Sequence, residues 1–389
     1  MFSCRTLFVL TGAAWLALVS MNSCPYAKEP PTASVPQVLN KFIALREIPG
    51  GVALVHEQDR PAETVAVGAA DLESATPMTP DTLFGIMSMT KPMTATALMI
   101  LVDEGKVSID DPVEKYIPAF ADAKTTSGEA VRGLKIRHLL THTSGLGGDQ
   151  GCDGSLEATA NALAERPFDF QPGEKWQYGP SMNVVGRIVE VASGQPYDEF
   201  LRERIFVPLG MNETTFHPTG DARERMATLY RKRDGKLGDG GDSLVPGERW
   251  HGAGEPGCVP NPSGGLFSTA GDLDRFYSMI LAGGELDGKR IVSADAVHQM
   301  TTVKTGDLAT GFTPGNGWGL GWCIVREPQD VTGMLSPGSF GHGGAYGTQG
   351  WVDPVKRRIF VLLIQRADLG NADGSDLRKE FQQAAVDGL

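Results

Sequence analysis

The sequence predicts an α/β (α+β) fold, in which an antiparallel β-sheet built from both chain ends is flanked by helices and carries a mainly helical inserted sub-domain. Two strand patterns near the start, GVALVHEQ (51–58) and ETVAVGAADL (63–72), predict a hairpin. Strand patterns return in the last hundred residues, and helical patterns dominate between the two ends. We therefore expect the α/β part at about 35–85 and 286–389, and the helical part at about 86–285.

The individual elements follow from hydrophobic periodicity and turn signals. Helices are predicted at 36–47, 90–104, 156–165, 182–193, 196–204, 271–283 and 373–386. Strands in the carboxy-terminal part are predicted at 317–325, 347–353 and 357–366. Residues 233–264 contain many Gly, Pro and Asp residues, which predicts a long surface loop. Ser88 lies at the boundary between the two parts of the chain, where a cleft is expected.

The composition and net charge argue against a nucleic-acid partner. The chain has 389 residues, is 41% hydrophobic and carries a net charge of −12, so it can bury a large core. Nucleic acids and anionic membrane surfaces select basic patches, and no basic run is longer than Lys356-Arg357-Arg358. We therefore expect no nucleic-acid partner, and the sequence leaves the oligomeric state open.

The first 27 residues have the pattern of a secretory signal peptide. Arg5 supplies the positive end, and the apolar stretch 6–20 is too short to span a bilayer comfortably. Cleavage is expected after Ala27, which leaves residues 28–389 as the mature, exported chain, either periplasmic or extracellular. A lipid anchor at Cys24 and a retained membrane anchor are the less favoured alternatives, because MNSC is a weak lipoprotein signal.

The cysteines and histidines do not predict a metal site. Cys152 and Cys258 lie in glycine-rich segments and could form a disulfide in an oxidising compartment, but the sequence does not decide this. His138 and His142 have an i, i+4 spacing on a predicted helix. Because the Glu of an HExxH motif is absent, packing and capping roles are favoured. We expect neither a metal nor another cofactor.

Residues 84–95, FGIMSMTKPMTA, place a serine and a lysine on one face at the start of an apolar helix. Ser88 and Lys91 are at i and i+3, so their side chains are neighbours. A serine hydroxyl needs a base within hydrogen-bond reach to act as a nucleophile. Burying a lysine costs free energy, which suggests that this lysine has a functional role. The free N–H groups of the first helical turn can also hold a developing oxyanion. The alternative is that Ser88 caps the helix and Lys91 extends to solvent.

Several further segments resemble the SxxK serine hydrolases, the family of class C β-lactamases, D-alanyl-D-alanine peptidases and family VIII carboxylesterases. The resemblance covers about 35–365 and implies a β-lactamase/transpeptidase-like fold. It rests on residues 82–118, 136–146 (IRHLLTHTSGL), 176–196, 207–216, 261–276 and 341–354. By this resemblance Ser88 is the nucleophile, Lys91 is its neighbouring base and Tyr178 is the second base.

The residues around Tyr178 also support a catalytic role for it, independently of the resemblance. It precedes Gly179 and Pro180 just before a predicted helix, so a turn can direct its hydroxyl into a cleft. A phenol beside an ammonium group ionises more easily, and the phenolate could take the serine proton and later return it to the leaving group. The plain alternative is a core tyrosine with one buried hydrogen bond.

The segment HGGAYG (342–347) corresponds to the Lys-Thr/Ser-Gly strand of the β-lactamases and transpeptidases. His342, Gly343 and Gly344 occupy these positions, and the two glycines let a substrate approach the strand closely. By the same resemblance, the backbone N–H groups of Ala345 and Ser88 form the oxyanion hole. His342 could assist proton transfer or orient the tyrosine, although a structural histidine is nearly as well supported.

Two departures from the family pattern favour esters over β-lactams. His342 replaces a permanent cation that would hold a substrate carboxylate, and Pro180 replaces the asparagine of a Tyr-x-Asn motif. His142, Ser144 and Gly145 are expected to fix a tight turn, and Asn183 is expected to be structural. No Gly-x-Ser-x-Gly is present, which argues against an α/β-hydrolase.

The sequence therefore predicts a serine hydrolase for small-molecule ester or amide substrates, acting through an acyl-enzyme on Ser88. A carboxylesterase for short-chain esters is favoured. The alternatives are a class C-like β-lactamase or a D-alanyl-D-alanine carboxypeptidase, and then a non-catalytic penicillin-binding-like scaffold or sensor.

Overall fold

The computed structural model describes residues 33–149, 151–152, 154–239, 243–245, 248–249, 259–370 and 372–388. The predictions of a signal peptide, of cleavage after Ala27 and of an anchor at Cys24 lie outside these residues. The Cys152–Cys258 pairing, which the sequence left open, does so too, because Cys258 is not described. In the described part, no helix is both long and apolar enough to cross a membrane.

The seven predicted helices are present to within a few residues, and the structure adds shorter ones to them. They are α1 (Val35–Ala44), α2 (Thr90–Asp103), α3 (Ile136–Leu140), α4 (Leu156–Glu165), α5 (Ser181–Ser193), α6 (Tyr197–Leu201), α7 (Val207–Leu209), α8 (Asp221–Glu224), α9 (Ala270–Leu281), α10 (Ala294–Met300) and α11 (Asp376–Asp387). The prediction for 196–204 was too short, because a π-helical stretch, Arg202–Phe206, joins α6 to α7.

The strands form one large sheet and several short ladders. They are β1 (Gly50–Glu57), β2 (Glu63–Asp71), β3 (Thr76–Pro77), β4 (Phe84–Gly85), β5 (Tyr230–Arg233), β6 (Lys236–Asp239), β7 (Ser243–Val245), β8 (Glu248–Arg249), β9 (Phe267–Ser268), β10 (Glu285–Leu286), β11 (Lys289–Arg290), β12 (Asn316–Trp318), β13 (Cys323–Val325), β14 (Phe340–Gly343), β15 (Gln349–Asp353), β16 (Arg358–Leu363) and β17 (Arg366–Ala367). Among the described residues, the large sheet has the order β12-β13-β14-β15-β16-β1-β2-β3.

The large sheet is antiparallel and joins the two ends of the chain, which confirms the predicted fold class. Strand β1 pairs with β2 on one side and with β16 on the other, so an amino-terminal hairpin continues directly into carboxy-terminal strands. The predicted hairpin 51–58/63–72 is confirmed by the pairing of Val52 with Ala66. Strand β14, which carries His342, lies two strands away from β16 on the carboxy-terminal side of the sheet.

Both faces of the sheet are covered by helices. Side chains alternate between faces along a strand, and those of β1 and β16 are buried on both sides. On one face, Ala53 and Phe360 pack with α1 and α11; on the other, Val52 and Val361 belong to the core that contains α2 and α9. Helix α2 is buried around most of its circumference, including its threonines and Lys91.

Three local predictions were wrong. The strand predicted at 317–325 is a hairpin of β12 and β13, because the chain reverses at 319–322, where Gly321 has a φ of +78°. Residues 230–239, part of which was predicted as a loop, form the β5–β6 hairpin. His138 and His142 do not share a helix, since α3 ends at Leu140 and His142 has a φ of +56°.

Candidate active site

Ser88 and Lys91 meet at the start of α2. Ser88 lies in a 3₁₀ turn, Met87–Met89, that leads into the helix, and its side chain is half-buried. The Nζ of Lys91, which is completely buried, donates to the Oγ of Ser88 at 3.0 Å. The predicted i, i+3 contact is therefore present in the fold. Such a distance allows direct proton transfer between the two groups.

Met87 has a backbone conformation that the sequence did not indicate. Its φ is +50°, in a region that costs a non-glycine residue about 1–2 kcal/mol. The neighbouring chain fixes this turn, because Ile86 donates its N–H to the Leu266 carbonyl at 3.0 Å. The serine is thus presented from a strained turn, a feature that clusters at functional sites.

A second chain segment holds the ammonium group of Lys91. The Ser263 carbonyl accepts a hydrogen bond from Lys91 Nζ at 2.6 Å. The Ser263 N–H donates to the Oδ1 of Asn183 at 3.2 Å and to the Oδ1 of Asn261 at 2.8 Å. Asn183, expected to be structural, therefore supports the group that orients Lys91. No role was predicted for Ser263, although it lies in 261–276, one of the segments that carry the family resemblance.

Tyr178 reaches this site from the segment before α5. Its side chain is half-buried, and Lys91 Nζ lies 4.7 Å from the centre of its ring. The turn is set by close backbone contacts, since Gln177 donates its N–H to the His142 carbonyl at 2.8 Å. A Cβ at Gly179 would lie 2.4 Å from the Leu146 carbonyl oxygen, so only glycine fits there. The structure thus brings Ser88, Lys91 and Tyr178 together.

An aromatic cluster surrounds Tyr178. It consists of rings whose centroids lie 4.5 to 6.2 Å from that of the tyrosine: His142, Phe312, Trp318, His342 and Trp176. Sequence analysis named only the two histidines, because the other three rings come together only through the tertiary fold.

Both histidines of the cluster are held in the neutral state. Burial, and then the charge of Lys91, lower the pKa of His142 well below its usual range. Burial and the charge of Lys91 lower the pKa of His342 to about 3. His142 has no hydrogen-bond partner for either ring nitrogen among the described residues. At neutral pH the predicted position of a substrate-binding cation is therefore occupied by an uncharged imidazole.

The proton on His342 can be assigned from its hydrogen bond. Its Nδ1 lies 2.6 Å from the carbonyl oxygen of Gly343, and a carbonyl can only accept. Nδ1 therefore carries the proton, and Nε2 is left as an acceptor. In the part of the chain that is described, this buried Nε2 has no partner.

The segment after His342 runs alongside the serine turn. A Cβ at Gly344 would lie 2.5 Å from the Ile86 carbonyl oxygen and 3.2 Å from the Cβ of Met87. Thr348 donates its hydroxyl to the same Ile86 carbonyl at 3.1 Å, which ties the β14–β15 turn to the serine turn. At Gly344 the missing side chain therefore makes room for the protein's own serine turn.

Ala345 is at the exposed tip of this turn. Its N–H donates to no acceptor among the described residues, so it can receive a ligand. Gly343 is constrained from its other side, since a Cβ there would lie 1.9 Å from the Oδ1 of Asp373. The turn therefore offers an available backbone donor beside the Ser88 segment, which is the arrangement an oxyanion requires.

Comparison with known proteins agrees with this geometry. Residues 37–385 match the family model described as Beta-lactamase. Esterase EstB of Burkholderia gladioli is 31% identical over 369 residues, which cover 86% of this chain and 90% of the relative. A putative D-alanyl-D-alanine carboxypeptidase of Escherichia coli (strain K12) is 29% identical over 327 residues, covering 79% and 74%.

Solved structures agree on the fold. The structure titled EstCE1, a hydrolase with promiscuous acyltransferase activity, superposes with a TM-score of 0.80 at 24% identity and covers 90% of this chain and 97% of its own. The chain therefore belongs to the beta-lactamase family, a family of serine hydrolases that includes relatives named as an esterase and as a carboxypeptidase.

Proposed function

We propose that this protein is a carboxylesterase that hydrolyses short-chain esters through an acyl-enzyme on Ser88. The observation that carries the proposal is the buried Lys91 ammonium group, whose Nζ lies 3.0 Å from the Ser88 Oγ and 4.7 Å from the centre of the Tyr178 ring. Burying a lysine is expensive, and this lysine lies against a nucleophile.

The proposed reaction uses the chain's own groups and one water molecule. Ser88 Oγ passes its proton to the coupled Lys91 and Tyr178 pair as it attacks the ester carbonyl, and the N–H groups of Ser88 and Ala345 hold the oxyanion. When the intermediate collapses, the alcohol leaves with the proton returned by Tyr178. Water then attacks the acyl-enzyme and gives a proton to the same pair. When this second intermediate collapses, the acid leaves and the pair returns the proton to the Ser88 Oγ.

Two features support esters as the substrate class. His342 is neutral because burial and Lys91 lower its pKa to about 3, so it offers no charge to the carboxylate of a β-lactam or a peptide. Pro180 lacks the side-chain amide that would hold an acyl-amide group. The relative EstB, named as an esterase, matches 86% of this chain.

The second candidate is a class C-like β-lactamase or a D-alanyl-D-alanine carboxypeptidase, favoured by the name of the Escherichia coli relative. The third is a non-catalytic scaffold, which would retain the fold without turnover. A fluorophosphonate probe separates this last candidate from the other two, because it labels an activated serine and leaves a binding module unmodified.

A substrate panel tests the proposal. p-Nitrophenyl acetate and butyrate, nitrocefin and a D-Ala-D-Ala peptide would be assayed with the wild-type protein and with Ser88→Ala. We expect turnover of the two esters to exceed that of the other substrates and to disappear in the variant. Faster turnover of nitrocefin than of either ester would replace the proposal by the β-lactamase candidate.

We also propose that the chain is exported after cleavage following Ala27, on the basis of Arg5 and the apolar stretch 6–20. Expression of the full chain followed by cell fractionation and amino-terminal sequencing tests this. An uncleaved protein in the cytoplasmic fraction would contradict it.

A further inference from the structure

The carbonyl that holds Lys91 belongs to a segment whose backbone is fixed by side chains on two sides. The Ser263 carbonyl accepts from Lys91 Nζ at 2.6 Å. The peptide group directly before it joins Pro262 to Ser263, and its N–H donates to two asparagine side chains. Its carbonyl oxygen, which is that of Pro262, accepts from the Oγ1 of Thr94 on α2 at 2.7 Å. Hydrogen bonds therefore hold both polar ends of the peptide group that precedes the carbonyl used by Lys91.

The direction of the hydrogen bonds at Thr94 can be assigned from its partners. Two carbonyl oxygens lie within reach of its hydroxyl, Pro262 at 2.7 Å and Thr90 at 3.3 Å, and the closer one takes the proton. The Oη of Tyr197 lies 2.6 Å from the Thr94 Oγ1 and therefore donates to it. Burial raises the pKa of Tyr197 above its usual range, so the phenol keeps this proton at neutral pH.

The segment is held at further points by α2 and α5. Thr90, one helical turn before Thr94, accepts the Leu266 N–H with its Oγ1 at 3.2 Å. On the side of α5, a Cβ at Gly186 would lie 2.2 Å from the Cγ of Pro262, so the helix backbone packs directly against the proline. The Ser263 carbonyl is thus part of a rigidly packed segment.

Thr94 does not contact a substrate directly. Its side chain and that of Tyr197 are fully buried, so neither hydroxyl meets a bound ester. The Lys91 Nζ lies 3.0 Å from the Ser88 Oγ and 2.6 Å from the Ser263 carbonyl oxygen, so the position of this carbonyl helps to fix the ammonium group beside the serine. Misplacing a reacting group by about 1 Å can cost about a hundredfold in rate.

We infer that Thr94 is a positioning residue, which fixes the peptide group before Ser263 so that the Ser263 carbonyl keeps Lys91 in place for proton transfer. The inference rests on the proposed function, in which Lys91 takes part in that transfer. Tyr197 supports the same role, because its hydrogen bond to Thr94 leaves the threonine proton for Pro262. The alternative is that the two hydroxyls only stabilise the core.

Variants of α2 separate these two roles. Thr94→Val removes the hydroxyl and keeps the shape of the side chain, whereas Thr94→Ser restores the hydroxyl. Thr96→Val is the matched control, because Thr96 is also fully buried on α2 and its Oγ1 donates to the Pro92 carbonyl of the same helix at 2.8 Å. If Thr94→Val does not fold, it is combined with Tyr197→Phe, which removes the phenol hydroxyl that the single variant leaves without a partner.

The measured quantities are kcat and kcat/KM for p-nitrophenyl butyrate per mole of folded protein, with the folded fraction taken from urea denaturation. We expect Thr94→Val, alone or with Tyr197→Phe, to lower both quantities together by about tenfold or more. The reason is that a misplaced proton acceptor weakens the transition state and not the binding of the ester. Thr94→Ser should regain most of this loss, and Thr96→Val should match the wild type.

The pH profile adds a readout that a loss of core packing would not change. A carbonyl that accepts from the Lys91 ammonium group favours its charged form. Displacing this carbonyl in Thr94→Val should therefore move the acid limb of the kcat/KM profile to lower pH by about half a unit or more. In the described part of the chain, the titratable groups that face Lys91 are Tyr178, His142 and His342, and every variant keeps them.

A normal kcat or an unmoved acid limb in folded Thr94→Val would overturn the inference and leave the proposed function intact. The same loss in Thr94→Ser or in Thr96→Val would overturn it as well, because the effect would then come from core packing and not from the Thr94 hydroxyl. Absence of Ser88-dependent ester hydrolysis by the wild-type protein would instead remove the proposed function, and this inference with it.

Discussion

The imidazole of His142 lies against the ring of Tyr178, with the two ring centroids 4.5 Å apart and the ring planes inclined by 35°. The same residue fixes the backbone before the tyrosine, because its carbonyl accepts the N–H of Gln177. His142 is fully buried and has a positive φ, so the fold holds it in a conformation that few residues adopt. His142 therefore packs against one face of the tyrosine ring and also fixes the backbone next to it.

We expect His142→Ala to lower kcat for ester hydrolysis about tenfold or more, because the tyrosine ring loses the wall that orients it. The cavity left in the core should also reduce the free energy of unfolding by roughly 2–4 kcal/mol. Steady-state kinetics and urea denaturation measure the two effects. His138→Ala, in the same segment but only partly buried, is the matched control. A normal kcat in a folded His142→Ala variant would show that Tyr178 needs no support from this side.

Lys91 and Tyr178 are expected to act as one proton-transfer unit. Each of Lys91→Ala and Tyr178→Phe should lower turnover about a hundredfold or more, and the double variant should lose far less than the product of the two losses. Tyr178→Phe removes only the hydroxyl, so the aromatic cluster keeps its packing. A double-mutant cycle on p-nitrophenyl butyrate turnover measures the coupling. Independent, fully additive losses would contradict a shared unit.

Gly344 should tolerate no side chain. A Cβ there would lie 2.5 Å from the Ile86 carbonyl oxygen and 2.2 Å from the Thr348 Oγ1, so Gly344→Ala must separate the β14–β15 turn from the serine turn. We expect kcat to fall about a hundredfold, as loss of oxyanion stabilisation does. Gly271→Ala is the control, since a Cβ at Gly271 meets nothing within 4 Å. Equal activity of the two variants would remove this turn from the oxyanion site.

His342 makes the stability of the fold depend on pH in a predictable direction. Its pKa is about 3 in the folded chain because burial and Lys91 oppose its charge, against about 6.5 when the chain is unfolded. Unfolding therefore takes up a proton below pH 6.5, and the stability that the neutral imidazole provides is lost as the pH falls from about 6.5 to about 3.

Between pH 7.5 and pH 5 this histidine should reduce the free energy of unfolding by about 2 kcal/mol. Urea denaturation at the two pH values measures the loss in the wild-type protein and in His342→Asn. The variant should lose about 2 kcal/mol less than the wild type over this interval. Identical losses would mean that His342 does not lose its charge on folding.

The parts of the fold that depend on local pattern could be predicted from the sequence. The two strand patterns at 51–58 and 63–72 predicted a hairpin, and the largely apolar segment after Ser88 predicted α2, because each signal lies within a few residues. The β12–β13 hairpin was missed because its four-residue reversal at 319–322 lies within an otherwise apolar segment. The two closely spaced glycines, Gly319 and Gly321, were the signal that could have revealed it.

The candidate site was predictable only where its members are close in sequence or match a motif. Ser88 and Lys91 follow from an i, i+3 spacing, whereas the Ser263 carbonyl reaches Lys91 from 172 residues away. Trp318 and Asp373 likewise reach the site through tertiary contacts, which the hydrophobic periodicity of a single segment does not indicate. The HTSGL segment was expected only to form a turn; its histidine also forms a wall behind Tyr178.

The most direct test of the account is the position of the covalent adduct. Wild-type protein would be treated with a fluorophosphonate or acid-quenched during turnover of p-nitrophenyl butyrate, then digested and mapped by mass spectrometry. The account predicts one adduct, on Ser88 within the peptide spanning 82–105, and none in Ser88→Ala. An adduct on Ser144 or Ser268, or undiminished ester turnover by Ser88→Ala, would contradict it.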